Sequence, residues 1–168
     1  MVILPTPRRW FSAGVLLFLV AAAPPPANPS PVSATRFTDL ATKQPIAIDA
    51  WRGRWTLVSF WAWWCGPCLV ELRGLSALAA ANPDVAFVTA AVDSRSRATS
   101  WLARNPVPGT AAVHVAGAPA DILRAHGDYQ LLLPFNIIVD PQGRICASSV
   151  YRLDAGQVTT MLRACRRG

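Results

Sequence analysis

A chain of 168 residues, 52% of them hydrophobic, is long enough for one domain with a substantial core and too apolar to be disordered throughout. Its net charge of +7 is not massed anywhere. Arg8 and Arg9 fall in a leader, and Arg52, Arg54, Arg95, Arg97, Arg163, Arg166 and Arg167 are scattered. That distribution excludes the dense footprint of a nucleic-acid-binding protein and reads as a solvated basic surface.

Arg8-Arg9 precedes an apolar run over residues 10–23, followed by Pro24-Pro25-Pro26-Ala27-Asn28-Pro29-Ser30-Pro31. Basic residues ahead of an apolar run form the pattern of an export signal, and this run falls short of the roughly 20 residues of a membrane span. Ala21-Ala22-Ala23 supplies small residues for cleavage, but Pro24 directly after them hinders the cut. Residues 1–23 are therefore a signal peptide or an uncleaved N-terminal anchor. Arg8-Arg9-Trp10-Phe11 matches a twin-arginine signal only weakly. Residues 24–35 are a proline-rich, semi-rigid spacer, and 36–168 form the folded domain. Both readings of the leader place that domain outside the cytoplasm.

Residues 37–48 alternate short apolar stretches and predict a hairpin leading to the Arg52-Gly53-Arg54 turn. Residues 56–61 are rich in β-forming side chains and fit a central strand. This run breaks directly into Cys65-Gly66-Pro67-Cys68, after which Leu72, Leu75 and Leu78-Ala79 recur at helical spacing up to Asn82-Pro83. The unbroken apolar run 85–92 fits a strand buried on both faces of a parallel sheet. A polar helix over 95–104 and a loop holding Pro106 and Pro108 come next. A short strand is expected at 113–115, and a short helix over 119–126 that Gly127 closes. Residues 135–139 read as a strand, Asp140-Pro141-Gln142-Gly143 as a turn, and 144–151 as the hairpin partner. The last helix starts at Asp154, with Gln157 completing a capping box. Val158, Met161, Leu162 and Cys165 then lie on one face. No internal repeat is present. The order predicts an α/β layer fold with a mixed sheet.

A CxxC where a strand turns into a helix has three chemical meanings. Half a zinc site needs two more ligands at matching spacing; Cys146 and Cys165 are far apart in sequence, and His114 and His126 do not form a ligand pair. An inert structural disulfide suits so short a loop poorly. A redox dithiol fits best. At the helix N-terminus, unpaired amides and the helix dipole favour a Cys65 thiolate, which is the attacking species in disulfide exchange. Pro67 suits the first turn, where its missing N–H is not needed. Cys68, one turn further in, is placed to resolve the mixed disulfide.

At these residues a resemblance is plain. Ser59-Phe60-Trp61-Ala62-Trp63-Trp64-Cys65-Gly66-Pro67-Cys68 resembles the active-site segment of thioredoxin-like proteins. With Phe37-Thr38-Asp39-Leu40, and with Leu133-Pro134 ahead of Val139-Asp140-Pro141-Gln142-Gly143, the chain is similar to the TlpA/ResA-like thiol:disulfide oxidoreductases from about Phe37 to its last helix. The resemblance implies a thioredoxin-like fold, a central mixed sheet flanked by helices with an N-terminal β-hairpin extension. Pro134 corresponds to the cis-proline opposite the dithiol, where substrate backbone is held; the plain alternative is a trans proline opening a strand. Glu71 matches an acid three residues after the second cysteine, on the face of Cys68, where it can serve as general base. Its other reading is a solvated helix glutamate. Trp64 corresponds to an aromatic that shields the pair and offers a contact surface, together with Gly66 and Pro67 of the motif. Trp61 and Trp63 read as packing residues. Arg73 stands where the family carries a proline, leaving a kink in doubt, with Gly74 as a substitute soft point. Leu133 and Phe135 flank Pro134 where small polar residues are usual, suggesting an apolar partner segment.

In such a fold the last helix packs on the sheet, so Cys146 and Cys165 could form a structural disulfide; the alternative is two buried thiols. The leading functional expectation is a disulfide reductase with no cofactor beyond the Cys65–Cys68 disulfide and with no metal. Its implied partners are exported proteins with disulfides, apocytochrome c among the candidates, and a membrane thiol electron donor. A monomer is expected. Gly66-Pro67, the thioredoxin dipeptide, favours a reducing potential, near about −270 mV. The rivals are a thiol oxidase or isomerase and a copper-handling module; for the latter, His114 and His126 offer no match to the required histidine.

Overall fold

The structure, a computed structural model, describes residues 35–46 and 48–167. The leader and nearly all of the proline-rich spacer lie outside the described residues. Seven strands and four α-helices follow in the order β1 (Phe37–Asp39), β2 (Pro45–Ile46), β3 (Trp55–Trp61), α1 (Gly66–Ala81), β4 (Val85–Ala91), α2 (Arg95–Arg104), β5 (Thr110–Val115), α3 (Pro119–Ala125), β6 (Phe135–Val139), β7 (Ile145–Ser149) and α4 (Ala155–Arg167). They build one mixed sheet in the order β2-β1-β5-β4-β3-β6-β7.

Burial explains that order. Every residue of β6, and all but the first of β3, is buried, so these strands are mostly apolar, broken only by Thr56, Ser59 and Asn136, and take central places. β7 alternates half-buried and exposed positions and sits at an edge. β3, β4 and β5 are parallel, whereas β6 runs antiparallel to β3. The period-2 alternation along β3 feeds two cores. Leu57 and Trp61 join Leu72 and Leu75 of α1 and Val158, Met161 and Leu162 of α4. Val58 and Phe60 join Ile122 and Leu123 of α3 on the other face. All four of these β3 side chains are fully buried, each stabilising by about 1.5–3 kcal/mol. The C-terminal end of this firmly anchored strand delivers the CxxC.

Several boundaries differ from expectation. β5 begins three residues before Val113, because the backbone of Thr110–Ala112 pairs with Phe87–Thr89 of β4 whatever its small side chains prefer. The hairpin of β1 and β2 stops at Ile46, and β1 also pairs antiparallel with β5, so it extends the sheet. The capping box at α4 is half made. Gln157 N–H donates to Asp154 Oδ1 at 2.8 Å, but Gln157 Oε1 is buried without a partner and does not reach back. α1 runs unbroken past Arg73 and Gly74.

Candidate active site

β3 ends at Trp61, and the chain turns tightly, Cys65 N–H donating to the Ala62 carbonyl at 3.0 Å. Cys65 caps α1 and is bonded to Cys68. Cys65 Sγ also accepts the Cys68 backbone N–H at 3.2 Å. The sulfur thus sits where a negative charge gains from amide and dipole together. Cys65 is 5% exposed and Cys68 1%, while Gly66 and Pro67 between them are open to solvent.

The Leu133–Pro134 peptide is cis. β6 pairs with β3 through Phe60↔Phe135, so one further step of register sets Pro134 across from Trp61, beside the chain that enters the dithiol. Of the apolar pair that flanks Pro134, Leu133 and Phe135, one member turns to the core. Phe135 is 1% exposed and stacks on Phe60 at 5.8 Å, facing the core, because a side chain in a strand buried on both faces has no route to solvent. Only Leu133 remains half-buried at the rim. In the loop ahead of Pro134 the exposed large hydrophobic side chains are Tyr129, Leu131 and Leu132. Leu131 adopts φ +58° and is held there by Asp128, whose Oδ1 accepts the Gln130 and Leu131 amides at 3.0 and 2.9 Å.

Glu71 is buried, only 3% exposed, which corrects the reading of a solvated helix glutamate. Its carboxylate accepts hydrogen bonds from Ser59 Oγ (2.7 Å), Asn136 Nδ2 (3.2 Å) and the Leu153 backbone N–H (2.6 Å). Burial raises its pKa above the ordinary glutamate value, and these donors oppose the rise only in part. An acid that holds a proton more readily than a surface glutamate, one helical turn from Cys68, suits proton exchange with a thiol.

Residues 32–151 match the family model of the AhpC/TSA family. The chain belongs to the AhpC/TSA family. Solved structures of the same fold include the thioredoxin-related protein of Neisseria meningitidis serogroup B, with TM-score 0.69, 20% identity, and coverage of 79% of this chain and 99% of that one. DsbF of Mycobacterium tuberculosis, in mixed oxidised and reduced forms, gives TM-score 0.65 and 22% identity, over 82% and 98% of the two chains. A secreted M. tuberculosis disulfide oxidoreductase homologous to E. coli DsbE gives 0.61 and 21%, over 80% and 97%. No curated protein is a significant match. With a Cys65–Cys68 disulfide on a thioredoxin-like fold, this member of the AhpC/TSA family is a thiol–disulfide oxidoreductase.

Around that pair, the three tryptophans part company. Trp61 is fully buried against Trp101, its Nε1 without a partner. Trp64 is 60% exposed beside Cys65. Trp63 is not the packing residue expected; it is 37% exposed under the Arg97 guanidinium. The residue that sequence reasoning missed here is Asp93, just after β4. Its Oδ2 accepts the Trp63 N–H at 3.2 Å, while its Oδ1 is buried and unpartnered. Burial raises its pKa. An acid closing the apolar run 85–92 was the available signal.

Cys146 of β7 and Cys165 of α4 are bonded, so they are not two free thiols. His114 Nε2 lies 2.8 Å from the Asp93 carbonyl. His126 is buried, with Nδ1 2.6 Å from the Ile122 carbonyl and Nε2 3.0 Å from Thr35 Oγ1, and burial lowers its pKa. Among the described residues, no three His, Cys, Asp or Glu side chains gather where they could share a metal ion.

Proposed function

We propose that the protein is a disulfide reductase acting on exported proteins outside the cytoplasm. The observation that carries this reading is the Cys65–Cys68 disulfide at the N-terminus of α1 with the buried Glu71 one turn below it. In the reduced protein, the Cys65 thiolate attacks one sulfur of a client disulfide. A Cys65–client S–S bond forms, the client S–S bond breaks, and a client thiolate leaves. Glu71 takes the Cys68 proton. The Cys68 thiolate then attacks Cys65 Sγ, forming the intramolecular disulfide and releasing the second client thiolate. Two electrons pass to the client, and a membrane thiol donor restores the pair. Pro134 and Leu133 line the place of the client backbone, and Trp64 covers one side.

Two observations support an extracytoplasmic setting. A second disulfide, Cys146–Cys165, belongs with an oxidising compartment. One of the similar structures is described as secreted. Among the described residues no helix is long and apolar enough to cross a membrane, so any anchoring would fall to the N-terminal segment. Gly66-Pro67 supports the reducing direction, and apocytochrome c is one client that the family likeness suggests.

The test is a Cys68→Ser trap in the native host together with the reduction potential of the Cys65–Cys68 pair. Exported proteins held on Cys65 and a potential near about −270 mV are expected. A potential near about −120 mV, or a trap without any partner, refutes the reductase reading.

A further inference from the structure

The chain entering Cys65 carries a surface that the exchange chemistry leaves unused. Trp63 is turned to solvent, and the Arg97 guanidinium lies 4.3 Å from its ring centroid. Ring and guanidinium start a shallow groove of about 300 Å³ that continues over Ser96, Ser100 and Trp101 to Arg104. α2, which supplies that side, reads Arg-Ser-Arg-Ala-Thr-Ser-Trp-Leu-Ala-Arg: three arginines and no acid. Arg97 and Arg104 are exposed, and neither takes part in an ion pair with another described residue. Asp93, in the turn before α2, turns one oxygen to the Trp63 amide.

We propose that this groove docks an acidic segment of the client polypeptide, so that the preferred substrates carry Asp or Glu beside the cysteine under attack. The inference rests on Cys65 being the attacking sulfur. Uncompensated charge at the rim of a contact surface attracts the opposite charge and raises the rate of productive encounter. The guanidinium fork matches a carboxylate in two parallel hydrogen bonds. Arg97 is already held in place by its stack on Trp63, so less side-chain freedom is lost on docking. Trp63 and Trp101 give the groove an apolar floor for the stems of the acidic side chains. Because Trp63 is two residues from Cys65, a segment seated there brings its neighbouring disulfide to the dithiol.

The experiment follows single turnover of the fully reduced protein against three peptide disulfides that differ only in the residues flanking the cysteine, Asp, Ser or Lys. Bis(2-hydroxyethyl) disulfide serves as a neutral small substrate. The second-order rates should rank acidic, neutral, basic, with about five-fold between acidic and neutral at low salt, as two surface charge pairs supply. That ratio should approach one in 0.5 M NaCl, and in the Arg97→Gln/Arg104→Gln double variant. Arg163→Gln on α4 should keep it. Equal rates for the three peptides, or a preference that survives the double variant, overturn the proposal while leaving the Cys65 reading intact if the small disulfide is reduced. Failure to reduce any of the four disulfides sinks the Cys65 reading and the groove with it. A flat ranking, with adsorption to phosphatidylglycerol vesicles that the double variant loses, would reassign the groove to a lipid surface and also overturn the proposal.

Discussion

Replacing Glu71 by alanine and by glutamine separates its hydrogen-bonding role as a strut from the proton-accepting role proposed for it. Alanine leaves the Ser59 hydroxyl and the Leu153 amide without an acceptor, and Asn136 Nδ2 keeps only the Tyr151 carbonyl at 3.3 Å. A buried donor left unpaired costs about 1–3 kcal/mol, and the vacated space adds to that. Glu71→Ala should therefore lose about 3–6 kcal/mol, a large part of the roughly 5–15 kcal/mol that holds a domain folded. Glutamine keeps the shape. Its amide oxygen can retain Leu153 and Asn136 while its NH₂ donates to Ser59, whose hydroxyl reverses its role, so the loss at neutral pH should stay within about 1 kcal/mol. The pH dependence carries a definite sign. Burial raises the folded-state pKa, so the folded protein binds this proton more readily than the unfolded chain does. Stability is highest below the unfolded value of about 4.3 and falls as pH rises through the folded value, by about 1.4 kcal/mol for each pH unit between the two. The glutamine variant lacks this titration, so its disadvantage against wild type shrinks as pH rises. Urea unfolding of the oxidised proteins from pH 4 to 8, followed by tryptophan fluorescence, measures both effects. Release of the mixed disulfide at pH 7 should slow in Glu71→Gln by up to about 10²-fold, the lower range for a positioned base. An alanine variant as stable as wild type would refute the strut. A glutamine variant that resolves the mixed disulfide at the wild-type rate would refute the base.

The Cys146→Ser/Cys165→Ser double variant opens a bridge across a sequence separation of 19 and should lose about 3 kcal/mol in the same unfolding assay; an unchanged midpoint would mean that α4 is held without it. Trp64→Ser removes a ring that is 60% exposed and should alter stability by no more than about 0.5 kcal/mol. Its reduction of a protein disulfide should nevertheless slow more than its reduction of bis(2-hydroxyethyl) disulfide, and equal slowing of both would remove Trp64 from the client surface.

The dithiol was legible because its determinants are local: a β-rich run, CxxC, and leucines at helical spacing fix β3, Cys65 and α1 within about 25 residues of sequence. The environment of Glu71 was not, although its signal was present. Ser59 interrupts an apolar strand, Asn136 interrupts another, and the two lie directly opposite each other in the β3–β6 register. A polar residue inside a strand buried on both faces needs a partner, and Glu71 is that partner for both. Reading it required the order of the strands, which no single segment encodes. Phe135 and Trp63 were misplaced for a related reason. The spacing of a residue from a motif gives proximity to the site, whereas the side of the sheet or turn to which its ring points is settled by packing. Cys146 and Cys165 remained open between bridge and free thiols because their approach depends on how α4 settles against β7.

That seating of α4 bears directly on the dithiol. Leu153, whose amide makes the shortest of the Glu71 hydrogen bonds, immediately precedes Asp154, the residue that accepts the Gln157 amide and opens α4. Val158, Met161 and Leu162 pack α4 into the same core as Cys65, Cys68 and Leu72, and Cys165 ties its far end to β7. The donors that hold the Glu71 carboxylate thus come from β3, β6 and the approach to α4, and none comes from α1, which carries the acid. A buried carboxylate keeps its charge only as long as such donors stay in place. If α4 moves by a fraction of an ångström, the Leu153 bond lengthens and the raised pKa of Glu71 rises further. The proton uptake from Cys68 proposed for Glu71 would then be altered with Cys65 and Cys68 untouched. Opening the Cys146–Cys165 bridge should accordingly shift the pH at which the mixed disulfide resolves toward higher values, and a profile that stays in place would show that α4 is held to Glu71 by its packing alone.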